Sequence, residues 1–115
     1  MPKGKLIAFL NPVDAESDAA FNEWYDKVHI PEVLATGHFT GAQRYRISKM
    51  GPDGIEPLES TAPGAYAAVY EIDSPDPVPE VVGKLMSSAG SMQMSDAIAP
   101  GSTAFLYEQI GDWTP

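Results

Sequence analysis

The chain has 115 residues, enough for one domain with a single hydrophobic core and too few for two, so we expect residues 1–115 to form a single domain. Its 16 Asp+Glu residues outnumber 7 Lys+Arg, and the net charge of -9 argues against nucleic-acid and anionic membrane partners. No apolar run approaches the roughly 20 residues of a membrane-spanning helix. Cysteine is absent, which excludes disulfides and thiolate metal sites and is in keeping with a cytoplasmic protein.

The first predicted elements are a strand and an amphipathic helix. Lys5–Leu10 is a nearly continuous apolar run that ends at Asn11-Pro12, which is typical of a strand buried on both faces. From Asp14, a candidate N-cap, the pattern becomes helical and continues to Val28. Four apolar residues with helical spacing form one face of this helix: Phe21, Trp24, Tyr25 and Val28. We expect that face to pack against a sheet.

A proline interrupts the helical pattern. Pro31 disfavours helical geometry at Ile30, so we expect the chain to bend at His29. Pro31 also suits the first turn of a short second helix at Pro31–Thr36, which Gly37 would end.

Two strands and a long loop are predicted next. Phe39–Met50 forms the second strand, and a Pro/Gly-rich loop follows from Gly51 to about Gly64. The third strand is Ala65–Ile72, and it should pair with the second as a hairpin neighbour. One of its faces carries Tyr66, Ala68, Tyr70 and Ile72.

The remainder of the chain completes a βαββαβ order. Helical spacing continues from Val78 to about Ser88, and residues 89–102 are irregular, with one turn of helix near Ser95–Ala99. Thr103–Ile110 is the fourth strand, and a short tail carries Trp113. This order predicts an α+β, ferredoxin-like protomer: a four-stranded antiparallel sheet with two helices on one face.

The face of the sheet opposite the helices predicts a homodimer. The first, third and fourth strands carry apolar residues on both faces, so a lone protomer would expose a large apolar surface. A second copy packed sheet to sheet would cover it.

Residues 21–39 have the pattern F-N-E-W-Y-D-x-x-H-I-P-E-V-L-x-x-G-H-F, followed by R-Y at 44–45. This segment resembles the EthD-like branch of the dimeric α+β barrel superfamily. The resemblance implies a ferredoxin-like protomer, a side-by-side dimer and a pocket between the helices and the concave sheet. The wider superfamily includes cofactor-free monooxygenases, muconolactone isomerase-like proteins, polyketide cyclases and haem-handling enzymes.

His29 and Tyr25 are the candidate catalytic residues. An imidazole titrates in the range needed for a general acid or base, although His29 could equally cap the helix C-terminus. Tyr25 precedes His29 by four residues and shares its helix face, where its hydroxyl could hold a substrate oxygen or lie at the rim of the core. Glu32 either orients the imidazole or favours the start of the next helix.

The remaining candidates are predicted to bind substrate. Trp24 could form a pocket wall or a core anchor, and His38 a pocket residue or a solvated loop residue. Arg44 and Tyr45 are adjacent on a strand and point to opposite faces, so only one can face the cavity. Tyr66 could hold a developing oxyanion together with Tyr25.

These residues predict proton-transfer chemistry on a small apolar ligand that carries oxygen, such as an aromatic, polyketide-like or lactone substrate. The reaction would be an isomerisation, a dehydration or cyclisation, or a cofactor-independent oxygenation, with no cofactor and no metal. His29 and His38 are nine residues apart across a proline and a glycine, which is a poor metal spacing. The alternatives are a non-catalytic carrier or sensor with the same pocket, and a haem-binding or haem-degrading protein with one of these histidines as axial ligand.

Overall fold

The computed structural model describes residues 3–47, 64–88, 92 and 94–115. Its strands are β1 Lys3–Leu10, β2 Gly41–Arg46, β3 Tyr66–Asp73 and β4 Thr103–Glu108. Its helical elements are a 3-10 turn at Ala15–Ser17, α1 Asp18–Trp24, a π turn at Tyr25–His29, α2 Ile30–Ala35 and α3 Val78–Ser88. No helix in these described ranges is both long and apolar enough to cross a membrane.

The four strands form one antiparallel sheet in the order β2-β3-β1-β4. Leu6 in β1 lies opposite Tyr70 in β3 on one side and Leu106 in β4 on the other. Arg44 in β2 lies opposite Ala68 in β3. The predicted α+β, ferredoxin-like protomer is therefore confirmed, with β1 and β3 at the centre of the sheet.

The hydrophobic core lies between the helices and one face of this sheet. The predicted alternation of β3 is confirmed, because Ala68, Tyr70 and Ile72 are buried while their neighbours are more exposed. Phe21 and Tyr25 from the first helical segment are almost completely buried against them. Each large apolar side chain buried in this way contributes about 1.5–3 kcal/mol to the stability of the fold, so Phe21 and Tyr25 anchor the first helical segment to the sheet.

The opposite face of the sheet, which we call the open face, is not covered by any helix of the described residues. Ile7 lies between Val69 and Phe105 on this face, and the three side chains are only partly covered. Phe105 is 47% exposed, and its ring centroid lies 6.1 Å from that of Phe9. The prediction that β1 is buried on both faces is therefore wrong for the single protomer, because Ile7 and Phe9 on the open face are only partly buried whereas Leu6 and Leu10 on the helix side are buried.

The predicted bend at His29 is also wrong. Ile30 has helical dihedrals, φ -59° and ψ -48°, and its N–H bonds the carbonyl of Tyr25 five residues earlier. In a regular α-helix the ring of Pro31 would collide with the carbonyl four residues before it, and the wider π turn provides room for that ring. The helical segment therefore continues through the proline, and α2 ends before Gly37, whose φ of +80° confirms its predicted role.

Several predicted boundaries shift. Asp14 accepts a hydrogen bond from the Ser17 N–H, as an N-cap should, but it caps the 3-10 turn that precedes α1. Phe39 precedes β2 and is buried in the core, whereas Met50 and the loop residues up to 63 lie outside the described residues. The predicted turn of helix at Ser95–Ala99 is wrong, because these residues form a hydrogen-bonded turn and Ile98 makes an isolated bridge to Pro12. β4 ends at Glu108, two residues before Ile110.

Candidate functional site

A cavity of about 200 Å³ lies between the sheet and the helical layer. Its apolar lining comes from β1, α2, α3, β4 and residue 92: Leu6, Ala8, Leu10, Val33, Leu85, Met86, Met92 and Ala104. The polar lining residues are Tyr25, His29, Tyr70, Ser102 and Thr103. An apolar cavity with a few polar groups at its wall is the usual form of a small-molecule site.

His29 lies at the end of the π turn, with its imidazole at the cavity wall. The ring stacks on Trp24 at a centroid distance of 4.9 Å and an interplanar angle of 25°. The ring of Tyr25 meets the imidazole edge-on, also at 4.9 Å. These two aromatic rings fix the plane of the imidazole.

The π turn explains how this arrangement forms. Trp24 and His29 are five residues apart, and residues with that separation are not neighbours on an α-helix. In a turn closed by hydrogen bonds between residues five apart, these two positions come to the same side of the helix. The local backbone therefore brings His29 beside both Trp24 and Tyr25.

The environment of His29 favours its neutral form. Burial lowers the pKa of the imidazole below its usual value of 6.5, and the nearby carboxylate of Glu32 partly opposes this shift. Nδ1 is buried and has no hydrogen-bond partner among the described residues. A neutral imidazole is suited to accept a proton at neutral pH.

Two phenols form the second polar feature of the wall. The hydroxyl oxygens of Tyr25 and Tyr70 lie 3.0 Å apart and share a hydrogen bond. Burial raises the pKa of both phenols, and the positive charge of Arg44 partly opposes the shift in each. Both groups are therefore neutral, and since one proton is used within the pair, the other is available to a ligand.

Arg44 faces the helices, and Tyr45 does not. The guanidinium carbon lies 4.7 Å from the ring centroid of Tyr25 and 5.2 Å from that of Tyr66. Nη1 donates to Oδ1 of Asp26 at 2.8 Å. Tyr45 points to the open face and is 55% exposed. The sequence left this choice open, and the register of β2 resolves it: Arg44 is on the helix side but behind Tyr25, and it does not line the cavity.

Three more candidates also lie away from the cavity lining. The hydroxyl of Tyr66 donates to Oδ1 of Asp18 at 2.5 Å and accepts from Nδ2 of Asn22 at 3.2 Å. His38 lies in the loop between α2 and β2, near Asp76. Glu32 is partly buried, and its charge acts on His29.

Tyr25 and His29 thus line the cavity. Trp24 stacks on His29 but does not itself line the cavity. Tyr70 is a cavity residue that the sequence did not select, although it shares a strand face with Tyr66. Periodicity places both tyrosines on the helix side of β3 but cannot say which one reaches the cavity. That depends on where α1 crosses the strand.

Comparisons with known proteins agree with this fold. The family model described as "Domain of unknown function (DUF4286)" matches residues 10–84. The crystal structure of HapK from Hahella chejuensis has a TM-score of 0.59 at 15% identity, with 97% of each chain covered. An EthD-like protein from Ralstonia eutropha JMP134 has a TM-score of 0.55 at 12% identity, with 99% of this chain and 97% of that chain covered. No curated protein matches the chain. The EthD-like resemblance of residues 21–45 is confirmed at the level of the fold.

Proposed function

Because the chain belongs to the DUF4286 family, to which no function is assigned, and shares the fold of HapK and of an EthD-like protein, we propose its function from the cavity. We propose an enzyme that moves a proton on a small, largely apolar, oxygen-bearing ring without a cofactor. The observation that carries the proposal is that a neutral imidazole and a phenol pair border one apolar cavity. These are a base and an oxyanion donor within reach of the same ligand.

The volume of the cavity supports a ligand with a single ring. An engineered apolar cavity of about 150 Å³ binds benzene, and the cavity here measures about 200 Å³. A substituted phenol or a five- or six-membered lactone is of this size. Haem is several times larger than one such ring, so the volume gives no support to the haem alternative.

The proposed reaction begins with the removal of a proton from a carbon next to a carbonyl group. His29 accepts that proton, and the electron pair of the broken C–H bond forms a carbon–carbon double bond while the carbonyl electrons move to oxygen. The Tyr25–Tyr70 pair donates a hydrogen bond to the resulting enolate oxygen. Return of the proton from the imidazolium to another carbon completes an isomerisation. Dehydration, cyclisation and oxygenation by dioxygen can share the same first step.

Hydrogen–deuterium exchange tests this step directly. The probe is α-angelica lactone, a single-ring β,γ-unsaturated lactone, in deuterium oxide, followed by proton NMR. We expect the protein to accelerate deuterium uptake at the carbon between the carbonyl and the alkene. We expect His29→Gln to abolish the acceleration and His38→Gln, which changes the histidine outside the cavity, to retain it. Saturable binding of the lactone without accelerated exchange would instead favour a carrier or sensor.

We also propose that the protein is a homodimer in which a second copy covers the open face. The support is the row formed by Val69, Ile7 and Phe105, three neighbouring apolar side chains on adjacent strands. Phe9 extends the row beside Phe105. Contiguous apolar surface of this kind is rarely left exposed on a monomer, and the equivalent surface of a second copy is complementary to it in hydrophobicity.

A further inference from the structure

We propose that Arg44 is a positioning residue that acts through Tyr25: its guanidinium, held against the back of the Tyr25 ring, strengthens the hydrogen bond that the Tyr25–Tyr70 pair donates to the ligand oxygen. This inference deepens the proposed function and rests on it. It assigns to Arg44 a role that does not require contact with the ligand.

The geometry places a cation directly behind the phenol pair. Arg44 lies on the helix side of β2, and its guanidinium carbon is 4.7 Å from the Tyr25 ring centroid. The rings of Tyr66 and Phe21 lie 5.2 and 5.7 Å away and complete an aromatic enclosure. The side chain is only 17% exposed, so water screens its charge poorly. A cation in such a site favours negative charge on nearby oxygens.

The charges around Arg44 leave part of its field directed at the phenols. Nη1 is paired with Asp26, which is 57% exposed and lies on the solvent side. Nη2 is buried and has no hydrogen-bond partner within the described ranges. Asp18 is bonded to the Tyr66 hydroxyl, and His29 meets Tyr25 from the cavity side. Arg44 is therefore the cation that faces the ring of Tyr25 from β2.

A purely structural role is the competing explanation. The Arg44–Asp26 ion pair ties the π turn to β2, so either partner could matter only because it holds Tyr25 and His29 in place. The two explanations differ for Asp26. If Arg44 acts by charge, removing the counter-ion leaves more positive field at the phenols. If the ion pair only holds the π turn against β2, loss of either partner displaces Tyr25 and His29 in the same way.

The test uses para-nitrophenol, a single-ring ligand whose phenolate absorbs visible light. At a fixed pH we expect Arg44→Met to lower the phenolate-to-phenol ratio of the bound probe by roughly three- to tenfold relative to the unmodified protein. We expect Arg44→Lys to restore most of the ratio and Asp26→Asn to raise it. Equal ratios in the unmodified protein and Arg44→Met, or a fall in both Arg44→Met and Asp26→Asn, would overturn the inference. Because Arg44→Lys and Asp26→Asn change opposite partners, the comparison does not depend on Arg44→Met folding well.

A ligand-free measurement separates this inference from the proposed function. Failure of the unmodified protein to bind para-nitrophenol would count against the single-ring ligand. The role of Arg44 is then decided by fluorine NMR of protein labelled with meta-fluorotyrosine, with signals assigned from Tyr→Phe variants. At neutral pH, where both phenols are protonated, we expect the Tyr25 signal to move in opposite directions in Arg44→Met and Asp26→Asn, because the first change removes positive field at the ring and the second adds to it. No movement in either variant, or movement in the same direction in both, would overturn the proposed role of Arg44.

Discussion

The hydroxyl groups of Tyr25 and Tyr70 lie 3.0 Å apart, one from the helical layer and one from β3. Both side chains are almost completely buried, and both line the cavity. The pair therefore joins the two layers of the fold at the same point where, in the proposed function, it donates a hydrogen bond to a ligand. Stability and the proposed function thus depend on the same two hydroxyl groups.

Removing one member of this pair should destabilise the protein. Tyr70→Phe leaves the Tyr25 hydroxyl buried without its partner, so we expect the free energy of unfolding to fall by about 1–3 kcal/mol, and Tyr25→Phe to behave similarly. The double variant should cost less than the sum of the two single changes, because no orphaned hydroxyl remains. Urea unfolding of the four proteins measures this coupling. Tyr45→Phe, at an exposed position, is the control and should change the free energy by less than about 0.5 kcal/mol. Strictly additive losses would contradict the role given to the hydrogen bond.

The depressed pKa of His29 predicts a loss of stability in mild acid. The pKa of the folded state lies below the usual 6.5, so below that pH the unfolded chain binds a proton that the folded protein does not. The contribution of His29 to stability is therefore complete above about pH 6.5 and declines as the pH falls towards the lower folded value.

Thermal unfolding between about pH 7.5 and pH 5 measures this decline. We expect it to be smaller in His29→Gln than in the unmodified protein. His38→Gln, at the histidine outside the cavity, should retain the steeper decline. If His29→Gln and the unmodified protein lose melting temperature in parallel, the imidazole is not protected from protonation by burial.

Filling the cavity should block the ligand without unfolding the protein. Ala8 lines the cavity from the central strand β1, and Ala8→Leu adds apolar volume that reduces the space in the cavity. We expect binding of para-nitrophenol to weaken at least tenfold, with a change in unfolding free energy of about 1 kcal/mol or less. Ala35→Leu, at an exposed position of α2, is the matched control. Retained binding in a stable Ala8→Leu protein would place the ligand elsewhere.

The open face predicts dimerisation that a single charge can prevent. Sedimentation should show twice the chain mass of 12.3 kDa for the unmodified protein. We expect Phe105→Glu to give monomers, because a carboxylate in the centre of an apolar interface loses its hydration. Val13→Glu is the matched control, since Val13 and Phe105 are both 47% exposed and Val13 lies outside the sheet. A monomeric unmodified protein, or equal dissociation by both substitutions, would contradict the proposed interface.

Much of the fold could be predicted from the sequence because the periodicity of each element is local information. The alternation along β3 correctly placed Tyr70 and Ile72 on the buried face, and the spacing from Val78 to Ser88 correctly placed α3. The π turn could not be predicted in this way. A proline such as Pro31 normally ends a helix. Here the helix continues through a wider π turn, in which the rings of Trp24 and Tyr25 pack against His29.

The candidate site was predictable only in part. Sequence spacing grouped Tyr25 with His29, since residues four apart meet on one helix face. Whether Arg44 or Tyr45 faces the helices depends on the register of β2 with β3, and whether Tyr66 or Tyr70 reaches the cavity depends on where the helices cross the sheet. These are long-range relationships, which no single segment of the chain contains.

The central claim is that the cavity beside His29 holds a ring whose oxygen meets the Tyr25–Tyr70 pair. A crystal structure of the protein with bound α-angelica lactone tests it most directly. The account predicts the carbonyl oxygen within about 2.6–3.2 Å of a hydroxyl of that pair, with the acidic carbon facing the imidazole of His29. A lactone bound outside this cavity, or bound inside it with its carbonyl group turned away from both phenols, would contradict the account.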